Sequence, residues 1–270
     1  MTDVPPEIIG HYTDEVDEGE RLARGSHRLE LVRVQEVMRR HLPPGPLHVI
    51  DVGGGTGIHA EWLAADGHVV HVVDPVRRHV DQAAQLDGVT SEIGDARRLT
   101  AADDSADVVL LFGPLYHLSE PEDRLRALGE AVRVVRPGGL VFVAAVSKFA
   151  SLFDGLARGF LFESGFPAIV ERDLREGEHR NPDRLPYRFT TAHFHHPDEL
   201  RAEISTGGLD VLELVGVEGM AGWMAHLADR WEDADARELI LYSARAVESE
   251  PSLLGLSAHL LAVARRPTVG

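Results

Sequence analysis

Apolar residues recur along the chain in two alternating rhythms, a spacing near four and short unbroken runs. Leu31, Val34, Met38 and Leu42 follow one another at steps of three, four and four, one face of a helix that Pro43-Pro44-Gly45 ends. Residues 47–52 predict a strand, and Ile58, Trp62 and Ala65 mark a helical face that closes at Asp66-Gly67. A second strand is expected over 69–73, a helix over 80–86, a third strand over 89–93 and a fourth over 108–112. Ser119 and Glu122 have capping-box spacing ahead of a helix that buries Leu125, Leu128, Val132 and Val135 and stops at Pro137-Gly138-Gly139. A fifth strand follows over 140–146. Strand and helix in regular alternation across short turns imply a parallel sheet covered on both faces.

Residues 147–205 break this beat. Phe149, Phe153, Phe160, Phe162 and Phe166 lie among glycines, and Thr191-Ala192-His193-Phe194-His195-His196-Pro197 follows, so the segment reads as a helical and loop cap inserted over the sheet. The beat resumes with a helix over 198–204, a strand over 209–217, a helix over 234–246 and a final strand over 257–264. Seven strands is the simplest count, an α/β fold with helices on both faces.

Composition narrows the chemistry. There are 27 Lys plus Arg against 44 Asp plus Glu, a formal charge of −17, and Lys148 is the single lysine. Such a surface disfavours nucleic acid, whose binding rests on basic groups that neutralise phosphates. The absence of cysteine removes disulfides, thiolate nucleophiles and thiolate metal sites. The first residues lack the basic start and apolar run of a signal peptide, and no apolar run approaches membrane-spanning length, so a cytoplasmic protein is expected.

The first strand ends in Gly53-Gly54-Gly55-Thr56-Gly57, a turn that brings a ligand close to the backbone at a helix start. The dinucleotide fingerprint G-x-G-x-x-G/A fails because Ile58 stands at its last position, and no Lys-Ser/Thr pair makes a P-loop. Asp74 ends the second strand and Asp95 follows the third, so both acids reach the binding rim of an open parallel sheet. There Asp74 suits ribose hydroxyls and Asp95 an adenine amino group. With Asp51-Val52-Gly53-Gly54-Gly55-Thr56-Gly57, Asp74, Gly94-Asp95-Ala96 and Arg136-Pro137-Gly138-Gly139 in place, the chain resembles the class I S-adenosylmethionine-dependent methyltransferases of small-molecule type.

The resemblance implies a Rossmann-like, mostly parallel seven-stranded sheet with a reversed last strand, assigned to 257–264. It implies an N-terminal helical leader over 1–46 above the cofactor, a cofactor-binding core over 47–146, an acceptor-binding cap over 147–205 and a C-terminal completion of the sheet over 206–270. S-adenosylmethionine would be held by Asp51, Gly53, Gly54, Gly55, Asp74, Pro75, Asp95, Ala96, Phe112 and Gly113, with Tyr12 folded over it and Arg21 at its carboxylate. The loop after the fourth strand, Phe112-Gly113-Pro114-Leu115-Tyr116-His117-Leu118, faces the methyl group in this family. It lacks the Asp/Asn-Pro-Pro-Tyr/Phe of enzymes that methylate base amines.

His117 is the first candidate for a general base or acceptor-orienting group, and Tyr116 for a pocket wall. His195 or His196 would line the acceptor pocket from the cap. His193, His195, His196 and Asp198 also have the composition of a metal site, but the alternation of His193-Phe194-His195 sends neighbouring side chains to opposite faces, and no metal is expected. The expected activity is methyl transfer to an oxygen or nitrogen of a small, partly apolar acceptor. The alternatives are a non-methylating reaction such as cyclisation on the same fold, an RNA or protein methyltransferase, and a binding protein without turnover. The oligomeric state stays open, a homodimer being one form.

Overall fold

The computed structural model describes residues 27–181 and 189–268. In chain order the elements are α1 (His27–His41), β1 (His48–Val52), α2 (Ile58–Ala65), β2 (Val69–Asp74), α3 (Arg77–Ala83), β3 (Val89–Ile93), β4 (Ala106–Leu111), α4 (Pro114–His117), α5 (Pro121–Val134) and β5 (Val135–Val146). They continue with α6 (Ala150–Arg158), α7 (Phe166–Glu176), β6 (Glu178–His179), β7 (Ala192–His193), α8 (Pro197–Thr206), β8 (Asp210–Gly216), α9 (Leu227–Trp231), α10 (Ala234–Val247) and β9 (His259–Arg265).

Seven strands form one sheet in the order β3-β2-β1-β4-β5-β9-β8. The first five pair in parallel, and β9 runs antiparallel to both of its neighbours, the reversed last strand expected above. Successive residues of an inner strand serve opposite cores. In β4, Val109 and Leu111 join Leu128, Ala131 and Val134 of α5 and Leu200 and Ile204 of α8. Val108 and Leu110 join Val34, Val37 and Met38 of α1 and Ala60 and Leu63 of α2 on the other face. Each Val, Leu, Ile or Met so sealed contributes about 1.5–3 kcal/mol, and two-sided burial makes the centre of β4, Val108-Val109-Leu110-Leu111, an unbroken apolar run.

Several local expectations shift, each for a visible reason. The buried face of α1 is Leu29, Arg33, Val34, Val37 and Met38, while Leu31 and Leu42 are half-buried. Arg33 turns the helix: it is 1% exposed, donates to the Val217 carbonyl at 3.3 Å and pairs with Glu36 and Glu248. On α2, Ala60, Trp62 and Leu63 are buried and Ala65 is exposed. Helix α3 starts three residues early, directly behind Val76, whose N–H is taken by Asp74 at 2.8 Å.

The Ser119–Glu122 capping box does not form. Pro121 occupies the first turn behind Glu120, and the Ser119 carbonyl instead accepts from the buried Arg124 at 2.8 Å. The buried face is accordingly Arg124, Ala127, Leu128, Ala131 and Val134, with Leu125 and Val132 packed at its margin. Val135 already belongs to β5, and a register shift opposite Ala106 and Val108 absorbs Pro137-Gly138-Gly139 within the strand. The segment after β5 carries α6, a 3-10 turn at Phe160–Phe162, α7 and the two-stranded β6-β7 ladder. Phe166, Ile169 and Val170 pack with Leu152, Phe160 and Leu161 into a small core of their own. Helix α8, by contrast, lies on the main sheet through Leu200 and Ile204. Among the described residues, no helix is long and apolar enough to cross a membrane.

Candidate active site

A cleft opens at the carboxyl edge of the parallel strands, and its floor is the turn after β1. The Gly53 N–H donates to the Val73 carbonyl at 2.8 Å and the Gly55 N–H to Asp74 Oδ2 at 3.0 Å, so β2 pins the loop at two points. Side chains are excluded for steric reasons as well as conformational ones. A Cβ on Gly53, whose φ is 73°, would stand 2.8 Å from Pro114 Cδ, and one on Gly54 would stand 2.6 Å from the carboxylate carbon of Asp51. Gly53 is therefore packed against Pro114 of the loop after β4, and Gly54 against the Asp51 side chain.

Asp74 faces the cleft but is 5% exposed, because its Oδ1 also accepts the Val76 N–H at 2.8 Å and faces His79 Nδ1 at 3.1 Å. A carboxylate offers about four lone-pair sites, so capacity for a ligand hydroxyl remains. Asp95 lines the next part of the rim and is held by Arg97, whose Nε and Nη2 donate at 2.9 and 2.7 Å; Arg97 continues to Asp123 at 2.7 Å. The hydrogen bond to Asp95, more than any other contact, raises the pKa of Arg97. Pro75, Ala96, Phe112 and Gly113 line the same cleft.

Asp51 sits elsewhere. It does not line the cleft, is fully buried under Gly54, and neither of its carboxylate oxygens has a hydrogen-bond partner. Burial, aided by the nearby charge of Asp74, pushes its pKa from 3.8 to about 7. A buried acid without a donor, directly beneath a ligand-binding turn, suits a site whose occupant brings positive charge. That is the fit expected for a sulfonium cofactor.

Over β4 and beyond, the cleft changes character. Ala144, Val217, Leu260 and Leu261 give it an apolar wall, and Val34 and Glu30 of α1 close one side. Tyr116 and His117 of α4 enter from the other. The His117 ring stacks on Phe189 with centroids 5.6 Å apart, and Tyr116 meets its edge at 4.7 Å.

A model of the methyltransferase domain matches residues 50–143, the stretch from β1 to β5 that builds this floor and rim. The ubiquinone biosynthesis O-methyltransferase of Coxiella burnetii is 24% identical over 198 residues, 71% of this chain and 75% of that one. The crystal structure of an S-adenosylmethionine-dependent methyltransferase from Mesorhizobium loti superposes with a TM-score of 0.60 at 20% identity, covering 88% of this chain and all of the other. The cyclase SpnF shares the fold at a TM-score of 0.55 and 18% identity over 89% of this chain and 82% of its own. Residues 50–143 thus carry a methyltransferase domain.

The methyltransferase does not bring the cap histidines to the cleft. His195 is fully buried: its backbone N–H donates to Val146 at 2.8 Å, and its Nε2 meets Glu203 at 2.9 Å. Burial lowers its pKa, against the opposing pull of Glu203. His196 caps α8 instead, its Nδ1 accepting the Asp198 N–H at 3.2 Å while Glu199 returns a bond to its backbone. Neither residue is available to an acceptor. His193 and His195 share a face because they are two residues apart in extended chain; their rings meet at 4.6 Å, with Phe194 on the other side. His193, His195 and Glu199 thus converge within 4.8 Å, without His196 or Asp198. In that group His193 Nε2 meets Glu199 at 2.8 Å; burial would raise Glu199, but His193 and His195 hold it down at about 2.

Tyr12 and Arg21 lie outside the described residues. The sequence reading omitted Glu30, Val34, His79 and His259, all of which line the cleft. His259 was legible by the rule that exposed the rim acids, since it opens a strand at the carboxyl edge. Glu30 and Val34 required the rotation of α1, which Arg33 sets.

Proposed function

We propose that this methyltransferase moves a methyl group from S-adenosylmethionine to an oxygen or nitrogen of a small, partly apolar acceptor seated between α4 and the wall formed by Ala144, Val217, Leu260 and Leu261. The observation that carries this reading is the division of one cleft into two halves, a polar rim with a glycine floor and an apolar chamber beside it. The 71% of the chain aligned with an O-methyltransferase supports oxygen as the acceptor atom.

When bound, the cofactor supplies an electrophilic methyl group for in-line displacement. Gly53, Gly54 and Gly55 would seat its methionine end, with Asp51 compensating positive charge from below. Asp74, with Pro75 beside it, would accept from the ribose and Asp95, beside Ala96, from the adenine amino group. Phe112 and Gly113 would flank the methyl. Tyr116 and His117 would orient the acceptor, and the apolar wall would keep competing water out. Residues 147–205 act as the acceptor-side cap in this reading, and the leader over 1–46 as the cover whose α1 reaches the cleft.

Incubation with methyl-labelled S-adenosylmethionine and fractionated lysate tests the reading. Label in small molecules is expected, and the −17 charge argues against label in RNA. Label confined to RNA or protein overturns the small-molecule assignment. Cofactor binding without label in any fraction points to a non-methylating reaction, and no cofactor binding overturns the whole reading.

A further inference from the structure

The apolar chamber contains one histidine whose hydrogen-bonded surroundings are those of a proton acceptor. Strand β9 opens at His259, and β8, running the other way beside it, delivers Val217 and Glu218 to the same edge; the Val217 N–H donates to the His259 carbonyl at 3.0 Å. Glu218 is 4% exposed. It accepts the Ser257 hydroxyl at 2.7 Å and the His259 backbone N–H at 3.1 Å, and it meets His259 Nδ1 at 2.5 Å. Ser257 Oγ in turn accepts the N–H groups of Glu218 and Gly219 at 2.9 and 3.2 Å. The carboxylate is thereby locked at both ends of a closed hydrogen-bonded ring, and it fixes the plane of the imidazole. With Nδ1–H directed at Glu218, the neutral ring carries its lone pair on Nε2. The ring lines the cleft beside Val217, Leu260 and Leu261.

We propose that His259 is the general base of this methyltransferase, that Glu218 is its positioning residue, and that the acceptor is a phenol with an apolar body. The inference rests on the methyl-transfer reading above and deepens it. In the step, the phenolic oxygen bonds to the methyl carbon as the carbon–sulfur bond breaks, leaving its electron pair on sulfur. The hydroxyl proton passes to Nε2, Glu218 stabilises the imidazolium, and the proton then leaves to water. An aromatic hydroxyl, at about 10, is acid enough to pass its proton to an imidazole as the methyl moves. An alkyl alcohol is a far weaker acid, and an amine acceptor attacks through its own lone pair without prior deprotonation. A base held by a third group is the arrangement that nucleophile activation requires. His117, whose ring face is stacked on Phe189, serves the acceptor's position instead.

Among the described residues, charged groups beside the His259 ring include Glu218 from the turn after β8 and, on α1, Glu30 at 3.8 Å, with His27 3.7 Å from Glu30. A carboxylate beside an imidazole favours the imidazolium, so its loss moves the acid limb of a rate profile to lower pH.

The test measures methyl transfer to a panel of substituted phenols, matched alkyl alcohols and matched anilines, with calorimetric binding of S-adenosylhomocysteine as the control for an intact site. Phenols alone are expected to accept the methyl. His259→Gln lowers kcat about 100-fold or more and removes the acid limb, with the KM for S-adenosylmethionine unchanged. Glu218→Gln, nearly isosteric, lowers kcat about tenfold and moves the limb to lower pH. Either variant binding S-adenosylhomocysteine as the wild type does shows that the loss is not one of folding. The proposal is overturned if His259→Gln keeps kcat within about threefold and the wild-type limb, or if anilines, alkyl alcohols or none of the panel accept the methyl. In that last case the labelled-lysate experiment still reports, on its own, whether methyl transfer to small molecules occurs.

Discussion

Replacing Asp51 by Asn isolates the energetic role of the acid beneath the glycine turn. Its pKa is 3.8 in an unfolded chain and about 7 in the fold. Below the first value the group is protonated in both states and costs nothing. Between the two, the unfolded chain ionises while the folded one does not, so the stability fully present below pH 3.8 is lost as pH rises to about 7. The shift corresponds to about 4 kcal/mol at pH 8. Asparagine removes that loss but leaves its amide without a partner, which returns about 1–3 kcal/mol, for a net gain near 2 kcal/mol. For a chain of this size each kcal/mol moves Tm by about 2–4 °C, so the variant should melt about 4–8 °C higher at pH 8 and, with only the amide cost of about 2 kcal/mol left, about 4–8 °C lower at pH 4. Scanning calorimetry of both proteins without cofactor reads this directly. A difference equal at the two pH values would refute the assignment of the cost to this carboxylate. The same reasoning makes cofactor binding tighten from pH 6 to 8 and release a proton, since a cationic ligand favours the charged acid. Titrations in two buffers of different ionisation heat should show that release in the wild type and not in the variant.

Gly54→Ala places a methyl group 2.6 Å from the Asp51 carboxylate carbon, so the loop must move; a loss of at least about tenfold in S-adenosylmethionine affinity is expected by calorimetry, consistent with the sub-ångström tolerance of positioned sites. Asp74→Ala strands the N–H groups of Gly55 and Val76, at about 1–3 kcal/mol each where buried, and should lower both Tm and cofactor affinity. Glu203→Gln breaks a buried pair with Arg124 and His195, whose combined hold keeps Glu203 below its usual pKa against the upward push of burial. A loss of about 3–5 kcal/mol is expected in chemical unfolding. His196→Ala removes only a helix cap, about 1 kcal/mol, and should leave kcat unchanged.

The sheet was readable because burial on two faces leaves short apolar runs such as Val72-Val73 and Val108-Val109-Leu110-Leu111 at its centre, and the rim acids because Asp74 ends one strand and Asp95 follows another. What escaped reading depends on contacts between distant segments. The rotation of α1 is set by Arg33 reaching Val217 and Glu248, and no spacing within the helix encodes those partners. The cap histidines looked like pocket residues because composition does not show that Glu199 and Glu203 of the next helix claim them. Glu218 and His259 lie 41 residues apart, and only the insertion of β9 beside β8 makes them neighbours.

That insertion also dictates when the molecule can be finished during its synthesis. Strand β9 leaves the ribosome after β8, yet it occupies the slot between β5 and β8, so β8 has no sheet partner until β9 arrives. The first turns of α1 wait for α9 and α10: Leu29 is sealed by Leu227, Trp231, Ile240 and Leu241, and Arg33 and Arg40 find Glu248 just after α10. A nascent chain holding β1 to β5 can form the glycine turn and both rim acids, but Val217, Leu260 and Leu261 of the apolar wall come only with β8 and β9. The polar half of the cleft is therefore old and the apolar half young in the life of each molecule, and a chain truncated before His259 is a sheet with an open edge rather than a slower enzyme.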